Sequence, residues 1–95
     1  MKTIDNYISL DEIINLVIQH EPSHDELISA LRNCHGGKWK RKAYFQFVDS
    51  KNANQIGAEW QFEDSFIFEH PNKGTIVIDF LKSKSVGGIE FLELI

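Results

Sequence analysis

The sequence predicts an α+β domain in which an N-terminal helical hairpin packs on a mostly antiparallel, five-stranded meander sheet. Two observations indicate this class: a pair of helix-capping patterns in the first third of the chain, and apolar residues that alternate with a period of two from residue 38 onward. The 95 residues, 42% hydrophobic and 25% charged, suit one domain with a modest core. We therefore expect a single domain, 1–95, with the helical hairpin at 8–37 and the antiparallel sheet at 38–95.

Each helix is predicted from its N-terminal cap. Ser9 and Ser23 are each followed three residues later by a glutamate, which is the spacing of a capping box. The first helix should end near residue 20, because Pro22 disfavours helical geometry at the residue before it. The second should end at Gly36 and Gly37. One buried stripe is expected per helix, formed by Leu10, Ile13, Ile14, Val17 and Ile18 in the first and by Leu27, Ile28, Leu31 and Cys34 in the second.

The stretch 74–95, GTIVIDFLKSKSVGGIEFLELI, predicts two strands joined by a polar turn. In the first of these strands Ile76, Ile78 and Phe80 share one apolar face, which should pack against the helices. The second strand contains Gly87-Gly88, and glycines inside a strand usually mark a bulge or a close approach by another part of the backbone.

The middle of the chain supplies the remaining predicted strands. Residues 38–48, KWKRKAYFQFV, predict a strand that begins basic and ends aromatic, with Phe45 and Phe47 on the face toward the helices. Residues 56–62 predict a half-buried strand with an acidic outer face, and a short strand is expected around residues 66–68.

Charge is distributed unevenly along the chain, although the formal net charge is only −4. Residues 36–48 carry four basic and no acidic groups, whereas residues 1–35 and 49–72 are both acidic. Clustered acids often serve solubility alone, but a negative surface also speeds encounter with a basic partner and aligns the two proteins. The partner-binding residues expected on an acidic sheet surface are Glu59, Trp60, Glu63, Asp64, Glu69 and Tyr44.

No cluster of residues indicates a reaction, a metal or a cofactor. A proline lies between His20 and His24 and breaks the helical geometry in which two histidines could bind a metal. An acid–base pair of His70 with Glu69 or Asp79 is the enzymatic alternative, but such neighbours occur by chance in a chain of this size. We expect no catalytic, cofactor or metal site and no enzymatic activity.

Cysteine usage and hydropathy predict a cytoplasmic protein. The one cysteine, Cys34, excludes an internal disulfide. The N-terminus MKTIDNYISLDEII has acids inside its apolar region, unlike a secretory signal. No apolar run approaches the roughly 20 residues that span a bilayer, so we expect no membrane partner. The sequence leaves the oligomeric state open.

The basic and aromatic strand at 38–48 suggests an alternative function. Five of its residues loosely resemble the aromatic strand of an RNA-recognition module, in which rings stack on bases and lysines contact phosphates: Lys42, Tyr44, Phe45, Phe47 and Val48. The glycines of that motif are missing, and the two phenylalanines share the face that the helices should cover. A small nucleic-acid-binding or regulatory domain is therefore the second hypothesis, and direct nucleic-acid binding is not expected.

The whole chain is similar to immunity proteins of bacterial contact-dependent growth-inhibition systems. The likeness lies in size, acidic balance and the segments AEWQF, FEHPNKGTIVIDF and GGIEFLELI. The C-terminal stretch also resembles the end of a family of small uncharacterised bacterial domains, in which a V-V-G-I-E-I-L-like strand follows a polar turn; here a glycine replaces the second valine. The resemblance to immunity proteins implies a non-catalytic protein that neutralises one cognate toxin domain, commonly a nuclease acting on transfer RNA. We therefore predict that an acidic sheet surface covers the basic active site of such a toxin.

Overall fold

The computed structural model describes residues 3–95 and contains two α-helices, five β-strands and two short 3₁₀ helices. In chain order the elements are 3₁₀ Ile4–Asn6, α1 Leu10–His20, α2 Asp25–Arg32, β1 Lys38–Arg41, β2 Tyr44–Gln46, β3 Phe62–His70, β4 Gly74–Leu81, β5 Val86–Phe91 and 3₁₀ Leu92–Leu94. The helices precede an antiparallel sheet, which confirms the predicted α+β class. Within residues 3–95, no helix combines the length and the apolar character that crossing a membrane requires.

Helix α1 begins where the capping pattern predicted. Ser9 Oγ accepts a hydrogen bond from the Glu12 N–H at 3.1 Å, which confirms Ser9 as the N-cap. The Glu12 side chain, however, contacts His70 on β3, with 2.7 Å between Oε2 and Nε2. The helix ends at His20, as expected from the following proline. The glutamate of the capping pattern therefore connects α1 to the sheet.

Helix α2 begins at Asp25, and the prediction of Ser23 as its N-cap is wrong. The cap is His24, whose Nδ1 accepts a hydrogen bond from the Leu27 N–H at 3.3 Å. The His24 ring also packs edge-on against Phe66, with 4.7 Å between ring centroids. Contact with the sheet thus selects the capping residue. The helix ends four residues before Gly36, at Arg32, earlier than predicted.

The strand order in the sheet is β1-β2-β5-β4-β3. β3, β4 and β5 follow one another as a meander, whereas β2 pairs with β5 and β1 lies outside β2. The two edges of the sheet are therefore the basic strand β1 and the strand β3.

The single strand predicted at 38–48 is a hairpin. A turn at Lys42 and Ala43 folds β2 back on β1, so that Trp39 pairs with Phe45. A register irregularity after Trp39 puts Arg41 on the same face as Tyr44, opposite to Trp39, and the alternation in the sequence reveals neither this shift nor the turn.

The strand predicted at 56–62 is also wrong, except for its last residue. Residues 47–61 form a loop in which Ile56 is fully exposed and Gly57 has a left-handed φ of 84°. A left-handed glycine interrupts an extended backbone. β3 then runs without a break from Phe62 to His70 and includes the short strand expected at 66–68.

The core lies between the helices and one face of the sheet. Ile76, Ile78 and Phe80 of β4 point into it, as predicted, and Phe45 is completely buried while Phe47 is half-buried. Ile18 of α1 is exposed, contrary to the predicted stripe, and its neighbours fill the core instead. The buried helix residues are Ile13, Ile14, Leu16 and Val17 of α1 and Leu27, Ala30 and Leu31 of α2. Apolar burial at about 25 cal/mol per Å² holds the two layers together.

Candidate functional site

The sheet face opposite the helices presents two rows of side chains, and we call this surface the open face. The first row takes one residue from each strand: Arg41, Tyr44, Glu90, Val77 and Ile67. The second row is formed by Lys38, Gln46, Gly88, Asp79 and Ser65. Directly paired residues of neighbouring strands point to the same side, so both rows stand on this face.

Tyr44 lies across Gly88 at the middle of the open face. A Cβ atom at Gly88 would overlap the Tyr44 hydroxyl, so only glycine leaves room for the ring. The same hydroxyl donates a hydrogen bond to Asp79 Oδ2 at 2.9 Å. The predicted close approach at the paired glycines is therefore present, but side chains make it rather than backbone. The predicted bulge is present as well: Asp79 pairs with Gly88 but Phe80 pairs with Val86, so the register of the β4–β5 pairing shifts at Gly87.

Burial changes the acidity of both partners in this hydrogen bond. It raises the pKa of Asp79 above the ordinary 3.8, while the bond from Tyr44 opposes part of that rise. Burial and the nearby Asp79 carboxylate also raise the pKa of the Tyr44 phenol. The Arg41 guanidinium also packs over the Tyr44 ring, with its central carbon 4.8 Å from the ring centroid. Arg41, Tyr44 and Asp79 thus form one connected cluster that we call the tyrosine cluster.

Trp60 reaches the same region from the 47–61 loop. A Cβ atom at Gly87 would meet the Trp60 ring and the Leu81 side chain, and the Trp60 ring stacks on Phe62 with an interplanar angle of 20°. Trp60 Nε1 is buried and has no hydrogen-bond partner among the described residues. Between the loop and the sheet lies a cavity of about 230 Å³, lined mainly by Arg41, Tyr44, Ser50, Trp60, Asp79 and Glu90. The structure therefore brings together the predicted residues Tyr44 and Trp60.

The four predicted acidic residues do not share one face. Glu59 lies in the 47–61 loop, Glu63 sits at a bulge at the start of β3, and Asp64 pairs with Phe80 on the helix side. Only Glu69 stands on the open face, where its Oε2 accepts a hydrogen bond from Thr75 Oγ1 at 2.7 Å. All four acids are exposed, and they lie within β3 and the loop before it.

Two acids and one apolar residue of the open face were not in the predicted set. Asp79 and Glu90 belong to the two rows, and the alternation along the C-terminal strands could have placed Asp79 beside Val77 on this face. Ile67 is 65% exposed. Its signal in the sequence is the run from Phe66 to Phe68, because three consecutive apolar residues in a strand must send one side chain outward.

His70 is not part of the open face. Its ring is buried on the helix side, and its Nδ1 accepts hydrogen bonds from the N–H groups of Asn72 and Lys73, both at 3.0 Å. This arrangement leaves the hydrogen on Nε2, which is donated to the Glu12 carboxylate. The sheet separates His70 from Glu69, since the two side chains point to opposite faces. Among residues 3–95, no three His, Cys, Asp or Glu side chains are grouped as a metal site requires.

Comparison with protein-family models, curated proteins and solved structures finds no match to this chain. Its function is therefore inferred from the side chains that the surface presents.

Proposed function

We propose that the chain is an immunity protein, a non-catalytic domain that binds a toxin domain through the open face and covers the toxin's active site. The observation that supports this proposal best is Ile67, a large apolar side chain that is 65% exposed on a sheet face also carrying acids. An apolar centre with a polar rim is the usual composition of a protein-binding surface. The resemblance of the sequence to immunity proteins suggests the kind of partner.

Apolar area on the open face is continuous with its acidic groups. Val77 pairs with Ile67 in the first row and is half-buried, and Phe62 at the start of β3 is 40% exposed. Glu69 and Asp79 each stand on the same face, one residue pair from the Ile67–Val77 pair. The apolar pair would supply the desolvated centre of the interface, and the acids would supply its rim.

The acidic rim fits a nuclease. An active site that binds RNA attracts phosphate and is therefore positively charged, so carboxylates steer the two proteins together and fix their orientation. Glu59 and Glu63 extend the negative charge from the open face along the start of β3 and the loop before it. Covering the basic cleft would exclude its substrate without any reaction by the immunity protein.

The tyrosine cluster would lower the conformational entropy that is lost on binding. Tyr44 is held by its hydrogen bond to Asp79 and by the guanidinium of Arg41, and its ring is already buried against the sheet. Side chains that are ordered before association lose less conformational entropy when the complex forms. Because Tyr44 itself is buried, the cluster offers a partner the exposed Arg41 and the half-buried Asp79, both held in fixed positions.

The proposal is tested with the C-terminal domain of the protein encoded immediately upstream, which in a toxin–immunity pair is the toxin. We expect the two proteins to co-purify and the chain to abolish the toxin's activity. Replacing Ile67→Thr should weaken binding about tenfold, the loss typical of a central apolar residue. The matched control is Ile18→Thr, which changes an exposed isoleucine on α1 and should leave binding unchanged.

Two outcomes contradict the proposal. Equal binding by the Ile67→Thr variant and the unaltered chain removes the open face from the interface. Cleavage of a substrate by the isolated chain shows that the protein is catalytic.

A further inference from the structure

A groove of about 670 Å³ runs beside the edge strand β1, between that strand and the segment around the first 3₁₀ helix. Its apolar lining comes from Tyr7, Trp39 and Leu94, all half-buried. Trp39 Nε1 donates a hydrogen bond to the Thr3 carbonyl oxygen at 3.3 Å and so fixes the N-terminal segment against the strand. The groove adjoins the open face, since Lys38 and Arg41 border both, but its apolar floor lies on the helix side of the sheet, where Trp39 points with its partner Phe45.

Apart from Asn6, the polar residues that line the groove and form its rim are all basic. Lys38, Lys40, Arg41 and Lys42 line it, and all four side chains are exposed. Within residues 3–95 the one contact between a lysine or arginine and a carboxylate joins Lys84 to Glu26, outside the groove. Arg41 lies near Asp79 and Glu90, but the three lysines of the rim have no ion pair with a described carboxylate. The groove therefore keeps positive charge and favours an anionic ligand.

The aromatic rings in the groove are poorly placed for stacking on bases. The Trp39 ring meets Tyr7 at an interplanar angle of 80° and Phe45 at 85°, in edge-to-face contacts within the protein. The Lys73 ammonium lies 4.3 Å from the centroid of the Tyr7 ring. Single-stranded nucleic acids bind to aromatic faces that are free to stack. These contacts therefore favour a peptide over a nucleic acid as the anionic ligand.

The backbone of β1 gives a reason for the peptide to be extended. β1 is the last strand on its side of the sheet, and the described chain pairs it only with β2. At the other edge, side chains already occupy outward-facing amides of β3: the Phe62 N–H donates to Asn54 Oδ1 and the Ser65 N–H to Asp64 Oδ1, each at 2.8 Å. The first half of β3 is thus covered in part, whereas no described side chain bonds an amide of β1, and the lysines of β1 oppose a basic strand but attract an acidic one.

We propose that the groove binds an extended acidic peptide segment of a partner protein, which adds to the sheet as a strand beside β1. Alternate carboxylates of the segment would contact the basic rim, and an apolar side chain between them would cover Trp39 and Leu94. Lysines on an edge strand oppose pairing with a second copy of the same basic strand, so the acidic segment is selected by charge.

Fluorescence anisotropy with labelled probes tests the proposal on the full chain. The probe is a ten-residue peptide of alternating glutamate and valine, and the comparison probes are the same peptide with lysine in place of glutamate and a ten-nucleotide oligouridylate. We expect the acidic peptide to bind and the lysine peptide not to bind. Each charge reversal, Lys38→Glu or Lys42→Glu, should weaken binding about fivefold at low salt. Lys82→Glu, in the β4–β5 turn, is the matched control and should have no effect.

Strand pairing is tested separately from charge. Two acidic peptides, N-methylated on odd or on even residues, keep the same charge but lose donors on opposite edges of the strand. One of them should lose binding while the other retains it, because only one edge faces β1. Equal binding of both methylated peptides overturns strand addition. Absence of binding by the acidic peptide at about 1 mM, or tighter binding of the oligouridylate, overturns the acidic-peptide proposal.

Discussion

The two edges of the sheet differ in length, charge and exposed apolar area. β1 has four residues, is basic and carries a register irregularity between Trp39 and Arg41. β3 has nine residues, is acidic along its first half and exposes Ile67 toward the open face. Side chains of the same protein bond the outward amides near the start of β3, which discourages edge pairing there.

This difference separates two modes of binding within one small sheet. Near β3 the exposed side chains lie on the open face, so a partner would meet a surface of side chains. Beside β1 the groove combines positive charge with a strand edge that no other strand of residues 3–95 pairs, so a partner would meet backbone and charge together. A net charge of −4 conceals this division, because the basic groups of one edge offset the acidic groups of the other.

The largest expected effect is at Gly37, which leads into β1. Its φ is 87°, and an added Cβ would lie 2.5 Å from a Phe45 ring carbon and 2.7 Å from the Gln46 carbonyl oxygen. Left-handed strain and overpacking together predict that Gly37→Ala lowers the free energy of unfolding by about 2–4 kcal/mol. Gly36→Ala has the same left-handed geometry but open space, and should lose only about 1–2 kcal/mol.

Urea denaturation followed by circular dichroism measures both variants. Gly74 gives the corresponding comparison beside β3, since its φ is 73° but a new Cβ would meet only the flexible Glu93 side chain. We expect Gly74→Ala to resemble Gly36→Ala. An equal loss for all three variants would show that close packing at the start of β1 has no special importance.

The next effect concerns the tyrosine cluster, which connects the edge strand β1 to the inner strands β2 and β4. Tyr44→Phe removes the hydroxyl that donates to Asp79 and should lower the free energy of unfolding by about 1 kcal/mol. The same change should raise the pKa of Asp79 further, because the lost bond had stabilised its charged form. Carboxyl chemical shifts across a pH titration measure the pKa, and Tyr7→Phe serves as a control that leaves Asp79 untouched.

The pH dependence of stability should also report on Asp79. A carboxyl group whose pKa is raised by folding stabilises the fold below its ordinary pKa of 3.8, and this stabilisation is lost as the pH rises through the raised value. In Asp79→Asn the side chain stays neutral and can still accept from Tyr44. The variant should therefore gain stability relative to the unaltered chain as the pH increases above about 4. A constant difference across that range would contradict the buried position of the carboxyl group.

Charge reversal near β3 should have a smaller, kinetic effect. Glu59→Lys with Glu63→Lys is expected to slow association with the toxin about threefold at low salt and to weaken its salt dependence. Stopped-flow mixing measures the rate. Reversal of Glu21 and Asp25, near the helix ends, is the control. Unchanged kinetics in the first variant would remove Glu59 and Glu63 from the interface.

The smallest expected effect is at the far end of β3. Glu12→Gln keeps an acceptor for His70 Nε2 but removes the charge, and half of the Glu12 side chain is exposed to water. The free energy of unfolding should fall by about 0.5 kcal/mol. Glu26→Gln, whose carboxylate is 4.0 Å from the Lys84 ammonium, should cause no measurable change. Thermal denaturation at low and high salt compares the two variants.

Patterns within a few residues of sequence correctly predicted the start and end of α1 and the buried face of β4. The Ser9 cap, the end of α1 before Pro22 and the buried face of β4 all follow from short-range sterics and from apolar periodicity. The cap of α2 was wrong because packing on Phe66 holds His24 at the helix start. The strand at 56–62 was wrong because a period of two also occurs by chance in a loop.

The candidate site was predicted only in part. Tyr44 and Trp60 were identified from the sequence and lie at one cavity, but their roles in binding stay predictions. The place of Glu90 beside Tyr44 was missed because β2 pairs with β5, a strand that begins about forty residues later in the chain. No periodicity within either strand contains that pairing.

The amino-acid sequence by itself determined the layering of this protein, because the spacing of its apolar residues decides which side of each helix and strand must leave water. The division of charge between the edges, and the meeting of Arg41, Tyr44 and Asp79, were decided only by the tertiary structure. Register between distant strands places those groups together, and register depends on packing across the whole sheet.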